Sequence, residues 1–363
     1  MKILVVDLER EWRGGQNQAL LILKALNARG DTGELVTVRG SALGKRAAAR
    51  RVKVHFVRRR TARLSATLKI LKLTRNGAFD VVHANEAHAV TATWLAMVHR
   101  RTALVISRRV GYPLSKGRLA VARYQAAARI VAISKWVAER LTESGAPKEK
   151  VEVVYEGVEI PVLPTSEARQ RARARWKIPQ DAPLLGAVGV LLPDKGHELL
   201  IRALAQLREE FPSCKLLLAG SGAGREALTA LAAELGVGEM VIFAGFVADI
   251  EVVYAALDAF LFPSFFEGLG TSLLAAMSYE IPSVAFDCCA FGEIIENGKN
   301  GFLVEKGSVE QIVKTVEKIL REPTLAKSVG QAGRERIVEK FSSGRMVEEM
   351  KRVYREVSSR EIL

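Results

Sequence analysis

The sequence predicts an α/β protein of two Rossmann-like, doubly wound domains that face each other across a cleft. Three observations carry that prediction. Short apolar runs with the length and β-branched or aromatic content of buried strands alternate with segments of helical period. The alternation runs through residues 1–160, breaks at a Pro-, Arg- and Ala-rich stretch over 161–182, and then begins again. Glycine-bearing turns follow several strands, at the carboxyl edge where open α/β sheets bind ligands. The chain therefore divides into a first domain over 1–160, a second over 161–344 and a C-terminal helix over 345–363.

In the first half, Lys2–Asp7 is a strand and Gln16–Ala28 a helix with Ala19, Leu20, Leu23 and Leu26 on one side. Between them, Gly14 and Gly15 suit either close approach of a ligand to the backbone or a tight loop. Glu34–Val38 and Val52–Val57 are strands, joined and followed by basic stretches that include Arg58-Arg59-Arg60 and Arg63. A helix over Ala62–Arg75 carries Leu64, Leu68 and Leu71 apart from Lys69 and Lys72, and its basic side suits an anionic membrane surface. Asp80–His83 is a buried strand leading to Asn85, Glu86 and His88 and a helix over Ala89–Val98. His83 and His88 thus fall at the sheet's ligand edge, where a lone histidine is more often structural than catalytic. Ala103–Ser107 is a strand ending in Arg108-Arg109. Ile130–Ser134, the helix Lys135–Glu143 and the strand Val151–Tyr155 complete the half.

In the second half, Leu184–Val190 is a strand, followed by Asp194-Lys195-Gly196 and a helix over Glu198–Glu210. The strand Lys215–Ala219 enters Gly220-Ser-Gly222-Ala-Gly224-Arg225. That loop departs from the dinucleotide fingerprint, because Arg225 stands at its third glycine and no acidic strand end follows at the required distance. Met240–Ala244 is a strand ending in Gly245-Phe246-Val247. The stretch Asp258–Met277 organises the domain: the strand Ala259–Phe262, a turn Glu267-Gly268-Leu269-Gly270, and a helix beginning at Thr271. A carboxylate and two glycines so placed border a helix amino end, whose free N–H groups and dipole favour a phosphate. Ile281–Phe286 is a strand, and the tail from Val309 is helical with breaks near Pro323 and Gly344.

Bulk properties exclude several classes. The chain has 363 residues, 49% hydrophobic and 26% charged, an ordinary globular composition long enough for two cores. No apolar run reaches the roughly 18 residues of a membrane span, and the N-terminus reads as a first strand rather than a signal peptide. Cys214, Cys288 and Cys289 lack metal-ligand spacing. Adjacent Cys288 and Cys289 read as small buried residues rather than a redox pair, which suits a reduced cytoplasmic setting. The formal net charge of +14 is lopsided: residues 1–160 carry +17 and the rest −3. Such a face suits anionic lipid or a phosphorylated partner. Scarce aromatics in the basic region argue against stacking on single-stranded nucleic acid.

Taken in order, Gly14-Gly15, Ala132-Ile-Ser-Lys-Trp-Val137, Tyr155-Glu-Gly-Val158, Asp194-Lys-Gly-His-Glu198, Leu218-Ala-Gly-Ser-Gly222, Phe262–Leu274 and Glu296-Asn-Gly-Lys-Asn-Gly-Phe-Leu-Val304 carry a resemblance. The chain resembles retaining glycosyltransferases of family 4, with the GT-B fold, nearly end to end. The resemblance implies that the second domain binds a nucleotide-sugar donor and the first the acceptor. It assigns the donor diphosphate to Lys195, the nucleotide base to the segments of Gly220, Gly222, Phe246 and Val247, and hydroxyls of the transferred sugar to Glu267. Backbone N–H groups from Gly268, Leu269, Gly270 and Thr271 then face sugar or phosphate, Glu293 lies near the donor pocket, and Gly15 lets the first domain's loop close over the diphosphate. His88 is the best candidate for orienting the reacting sugar, and the resemblance implies that the helix over 345–363 returns to the first domain. Arg108 and Arg109, where the family differs, suit a bidentate grip on a phosphate or carboxylate of the acceptor.

The sequence departs from the family at named places. The second glutamate of its E-x7-E pair is Ala275, the arginine before the lysine is Val190, and the histidine after the strand Ala103–Ser107 is replaced by Arg108-Arg109. The expected activity is retaining, metal-independent sugar transfer without a cofactor beyond the nucleotide-sugar co-substrate. The acceptor is an anionic membrane glycolipid of the lipopolysaccharide-core type, and the site of action is the cytoplasmic membrane face. Ala275 and Val190 also suit a weakened or non-catalytic family member acting as a binding or partner subunit. A nucleotide-sugar epimerase or a nucleic-acid binder are further alternatives.

Overall fold

The computed structural model describes residues 1–28, 30–75, 77–115 and 117–359. The chain forms two compact units: residues 1–157 with the segment after Ser342, and Val158–Ser342.

The first unit is a seven-stranded parallel sheet. Its elements in order are β1 (Lys2–Asp7), α1 (Gly14–Ala28), β2 (Thr32–Val38), α2 (Ala42–Ala49), β3 (Lys53–Val57), α3 (Ala62–Thr74), β4 (Val81–Ala84), α4 (Ala87–Leu95), β5 (Ala103–Arg108), α5 (Arg118–Gln125), β6 (Arg129–Ala132), α6 (Lys135–Glu143) and β7 (Val151–Val153). The strand order β3-β2-β1-β4-β5-β6-β7 reverses direction between β1 and β4. Such a switch point opens a crevice at the strands' carboxyl ends. Alternating residues of β1 enter different cores, as the two-residue period of a strand requires. Ile3 and Val5 pack with α1 and α2, whereas Leu4 and Val6 pack with α3, α4 and α5.

The second unit is a six-stranded parallel sheet of order β10-β9-β8-β11-β12-β13. Its elements are α7 (Ser166–Ala174), β8 (Leu184–Val188), α8 (His197–Leu207), β9 (Lys215–Ala219), α9 (Arg225–Glu234), β10 (Val241–Gly245), α10 (Glu251–Ala256), β11 (Ala259–Phe262), α11 (Thr271–Ser278), β12 (Ser283–Phe286), α12 (Phe291–Ile294), β13 (Phe302–Val304), α13 (Val309–Arg321) and α14 (Pro323–Lys340). The chain then re-enters the first unit as α15 (Ser343–Ser358), whose Met346, Val347, Met350, Val353 and Tyr354 join the core beside α1. The last four positions of the helix expected over 345–363 lie outside the described residues.

Several elements differ from the sequence reading. The basic segment after β2 contains α2, started by Ser41, whose Oγ accepts the Gly44 N–H at 3.1 Å. Its alanines supply helix propensity that the neighbouring charges mask. The helix after His83 starts earlier, because the Glu86 carboxylate caps it by accepting the backbone N–H groups of His88 and Ala89. Arg173, in the stretch that reads as linker, is fully buried on α7. It bonds Asp258 Oδ2 at 3.1 Å and the carbonyls of Ala256, Pro179 and Ala182, so its charge is paired and its donors are used. Phe302–Val304, a segment with no strand assignment from sequence, adds β13 to β12 in parallel register. Cys288 and Cys289 are half-buried rather than buried.

Candidate functional site

In the second unit, the loops after β8 and β11 interlock. Asp194 O accepts the Phe265 N–H at 2.9 Å. Gly196 has φ +66°, and a Cβ there would stand 2.2 Å from Pro263 O, so only glycine permits this approach. The contact brings Lys195 Nζ to 2.7 Å from Glu267 Oε1, with Asp194 Oδ2 at 3.6 Å. Burial is the largest influence on the ammonium and opposes its charge. The charge and hydrogen bond of Glu267, then Asp194, outweigh it, and the Lys195 pKa is raised. Lys195 therefore stays a cation at any working pH. Ser264 Oγ, 3.4 Å from Glu267 Oε1, adds a second donor to the carboxylate.

Gly270, with φ +99°, ends this loop and begins α11, and its α-carbon faces Phe262 and Phe291 too closely for a side chain. Gly268 and Leu269 are buried and Thr271 is half-exposed at the helix start. Glu293 lies half-buried on α12, the short helix after the Cys288–Cys289 turn. The glycine loop after β9 has a packing reason that the sequence reading missed. A Cβ at Gly220 would meet Gly189 O at 1.7 Å, and one at Gly222 would meet Leu191 O at 2.4 Å. Both glycines thus let the loop cross the turn after β8, which Leu191 N–H to Ser221 O at 3.0 Å holds in place. Phe246 and Val247 separate: Phe246 is 71% exposed, while Val247 is buried. Val190, at the position of the family arginine, is exposed, and Ala275 is half-exposed on α11.

In the first unit, the site residues gather at the switch point between β1 and β4. Asp7 is fully buried and accepts from Asn85 Nδ2 at 2.6 Å, Gln16 Nε2 at 2.9 Å and the Glu9 N–H at 3.1 Å. Burial nevertheless raises its pKa. Glu86, next along the edge, is pushed up to about 7, first by burial and then by the Asp7 charge. Arg109 Nε binds Glu156 Oε1 at 2.7 Å and its Nη1 donates to Asn85 O. Its Cδ lies 3.0 Å from where a Gly15 Cβ would be. The Arg109 side chain thus lies across Gly15, and a side chain there would have to displace it slightly. Arg108 is spent locally on the carbonyls of Val110 and Tyr112 and on the Tyr124 hydroxyl at 3.3 Å. Three of the five N–H donors of Arg108, and two of those of Arg109, are thus engaged within the chain.

The two histidines part company. His83 is fully buried, its Nε2 2.7 Å from Ser107 Oγ and its Nδ1 2.7 Å from Tyr354 Oη. Burial, then the Arg109 charge, depress it to about 3, so it is a neutral structural group. His88 stays half-exposed, and its Nδ1 accepts from Arg63 Nε at 3.1 Å and Nη2 at 2.7 Å. A neutral ring so held carries its proton on Nε2, which points toward Glu9 Oε1 at 3.9 Å. Glu9, Glu86 and His88 lie close enough to share a metal ion. The Arg63 bond spends the ring's free lone pair, and Glu86 is already committed to three backbone N–H groups, so this donor set does not suit a metal. Asp7, Asn85, Glu86 and Arg63 were not singled out as site residues from sequence. The signal for Asp7, Asn85 and Glu86 was a polar cluster at two strand ends, whereas Arg63 lies in a basic stretch that starts α3.

The chain is similar to known proteins in both halves. The family profile described as "Glycosyl transferases group 1" matches residues 168–336, and that described as "Glycosyltransferase Family 4" matches residues 12–160. The "Lipopolysaccharide core biosynthesis glycosyltransferase LpsE" of Rhizobium meliloti is 30% identical over 289 residues, 79% of this chain and 79% of that protein. EpsD of Bacillus subtilis is 36% identical over 194 residues, 53% of this chain, and the chain spans only 50% of its length. The crystal structure of Anabaena Alr3699/HepE in complex with UDP and glucose superposes with a TM-score of 0.87 at 21% identity, covering 97% of this chain and 99% of that one.

Proposed function

Since the chain belongs to the group 1, family 4 glycosyltransferases, with the two parallel-sheet α/β units of the GT-B fold, we propose that it moves a sugar, with retained anomeric configuration, from a nucleoside diphosphate to a membrane-linked anionic glycan of the lipopolysaccharide-core type. The observation that carries the reading is the pairing of Lys195 with Glu267 at the carboxyl edge of the second sheet, beside the start of α11.

Lys195 faces the donor diphosphate and Glu267 the hydroxyls of the sugar, so the donor exchanges their mutual bond for one bond to each. As the glycosidic C–O bond breaks, negative charge grows on the departing diphosphate, and a fixed cation stabilises that charge most where water is excluded. The acceptor hydroxyl attacks the same face of the anomeric carbon, and the departing phosphate oxygen takes its proton. Lys195 and the amino end of α11 supply the positive charge, so the step is metal-independent and needs no cofactor. His88, with its Nε2–H held outward by Arg63, orients the reacting sugar. The UDP and glucose named with HepE support a nucleotide-sugar donor, and the name of LpsE supports the acceptor class.

The approach to the acceptor is from the cytoplasmic membrane face, through α3. Leu64 and Leu68, one helical turn apart, are 62% and 60% exposed, and Arg58, Arg59, Arg60, Arg63 and Lys72 are exposed around them. Apolar side chains that enter the acyl boundary, ringed by cations, bind anionic lipid by both terms. No helix among the described residues is long and apolar enough to cross a membrane.

A thermal-shift panel of UDP-, GDP-, ADP- and dTDP-sugars tests the donor reading on the wild-type chain and on Ala275→Glu. One nucleotide should raise the unfolding midpoint, by an amount equivalent to about 2.7 kcal/mol at a hundredfold excess over Kd. Ala275→Glu, by restoring a carboxylate toward the ribose, should strengthen that response. Silence from both chains toward every donor would sink the transferase and favour the non-catalytic binding subunit.

A further inference from the structure

We propose that Cys288 and Cys289 form a thiol–disulfide exchange site that reacts with low-molecular-weight disulfides and, by closing a disulfide between the two adjacent cysteines, withdraws support from the Glu267 loop. The two thiols sit at consecutive positions against consecutive carbonyls. Cys288 Sγ lies 3.8 Å from Ser264 O and Cys289 Sγ 3.7 Å from Phe265 O. Both side chains are half-buried, so a small disulfide reaches them, whereas Cys214 is fully buried. Cys289 has φ +55°, in the left-handed region that favours glycine, so the turn holds its thiol at a backbone cost.

The chemistry is asymmetric. The Cys288 bond, followed by the Glu267 N–H and the Lys306 ammonium, lowers the Cys289 pKa to about 6 against opposing burial and the Glu267 carboxylate. The shared bond with Cys289, then burial and the Asp287 charge, push Cys288 up. The Cys289 thiolate therefore attacks one sulfur of a disulfide, forming a mixed disulfide and expelling one thiolate. Cys288 then gives up its proton, and its sulfur attacks Cys289 Sγ, expelling the second thiolate. The protein dithiol loses two electrons and two protons, and the small disulfide is reduced to two thiols that carry those protons. Adjacent α-carbons stand about 3.8 Å apart, below the usual span of a disulfide, so the closed ring is strained and readily reduced again. Closing it draws both sulfurs from the Ser264–Glu267 loop. The coupling to donor binding rests on the function proposed above, whereas the exchange itself does not.

The test incubates the intact protein with oxidised glutathione at about pH 6 and follows its mass. The wild type should lose two hydrogens without retaining glutathione, the bridge mapping to the peptide that holds Cys288 and Cys289. Cys288→Ser should stop with one glutathione on Cys289. Cys289→Gly, which suits the left-handed backbone, should stay unmodified, as should Cys214, whose thiol burial pushes to about 12. At that pH the thiolate advantage, less the lower nucleophilicity of a more acidic thiol, gives Cys289 a rate about tenfold that of free cysteine. A rate no higher than free cysteine, or a stable glutathione adduct on the wild type, overturns the site. If the oxidised and reduced proteins respond equally to a nucleotide sugar, the coupling to Glu267 is overturned. If the bridge forms but even the reduced protein binds no donor, the exchange site stands and the transferase reading fails.

Discussion

Lys195 Nζ and Glu267 Oε1, 72 residues apart in sequence, meet at 2.7 Å because the turn after β8 and the turn after β11 share a hydrogen bond and a glycine contact. Both groups are about a quarter exposed or less, and each holds the other in place until a ligand competes for them. Lys195→Ala should lower kcat/KM by about 10²–10³, the loss typical of removing a fixed charge from a developing anion. Thermal stability should change by less than about 1 kcal/mol, since a partly exposed pair contributes little. An unchanged kcat/KM would remove Lys195 from the mechanism.

Tyr354 ties the returning helix α15 to β4 through His83 Nδ1, 271 residues away. Tyr354→Phe keeps the ring but leaves the buried imidazole nitrogen unpaired. The expected loss is about 1–3 kcal/mol of unfolding free energy, read by denaturant titration, with donor response unchanged. A neutral result would mean that water or another group replaces the hydroxyl.

Acid should act on buried histidines and on Glu86 with opposite signs. His83 is depressed to about 3 and His197 to about 4, in each case first by burial. Their stabilisation is full above the unfolded value of 6.5 and is lost as pH falls toward those folded values. Glu86, raised to about 7 by burial and then Asp7, stabilises fully below its unfolded value of 4.5 and loses that contribution as pH rises through 7. Glu86→Gln removes the opposing group. Its stability should therefore fall more steeply than the wild type's on acidification from 6.5 to 4.5, by up to about 1.4 kcal/mol per pH unit. Parallel pH profiles from calorimetry would contradict the shift at Glu86.

Arg63 holds His88 in one tautomer through its two donors on Nδ1. Nitrogen-15 NMR of labelled histidine should show His88 protonated at Nε2 in the wild type and a tautomer mixture in Arg63→Ala. The same variant should lower kcat with little change in donor KM, because the ring loses orientation rather than its place. A single unchanged tautomer would leave Arg63 without a positioning role.

Leu64 and Leu68 face outward from α3 while Ala66 and Ile70 enter the core. Replacing both leucines with Asp should weaken sedimentation with phosphatidylglycerol vesicles at least about tenfold, since each buried leucine is worth about 1.5–3 kcal/mol. Added salt should weaken what remains, through the arginines. Equal binding by wild type and variant would move the membrane surface elsewhere.

The strands were legible because each is a run of apolar residues that a sheet covered on both faces requires, and Ala259–Phe262 and Lys215–Ala219 match to the residue. The helix α2 was not, because its alanines lie between charges and its start depends on Ser41 reaching Gly44. The short helix and linker over 161–182 gave no sign that Arg173 is buried, since a sequence shows a cation but not the Asp258 carboxylate that meets it 85 residues later. The same holds at the sites. Gly220 and Gly222 stood out as glycines, yet the atoms that exclude a side chain belong to Gly189 and Leu191.

Sequence alone determined the alternation of strand and helix and the two-unit α/β class, because those follow from periodicity and from turn chemistry along a short stretch. Only the tertiary structure decided which polar groups meet. It paired Lys195 with Glu267, Arg109 with Glu156, Arg63 with His88 and Cys289 with the Phe265 carbonyl. Charge, tautomer and thiol acidity are set by burial and by neighbours within a few ångströms, and those neighbours are brought together by sheet order rather than by sequence distance.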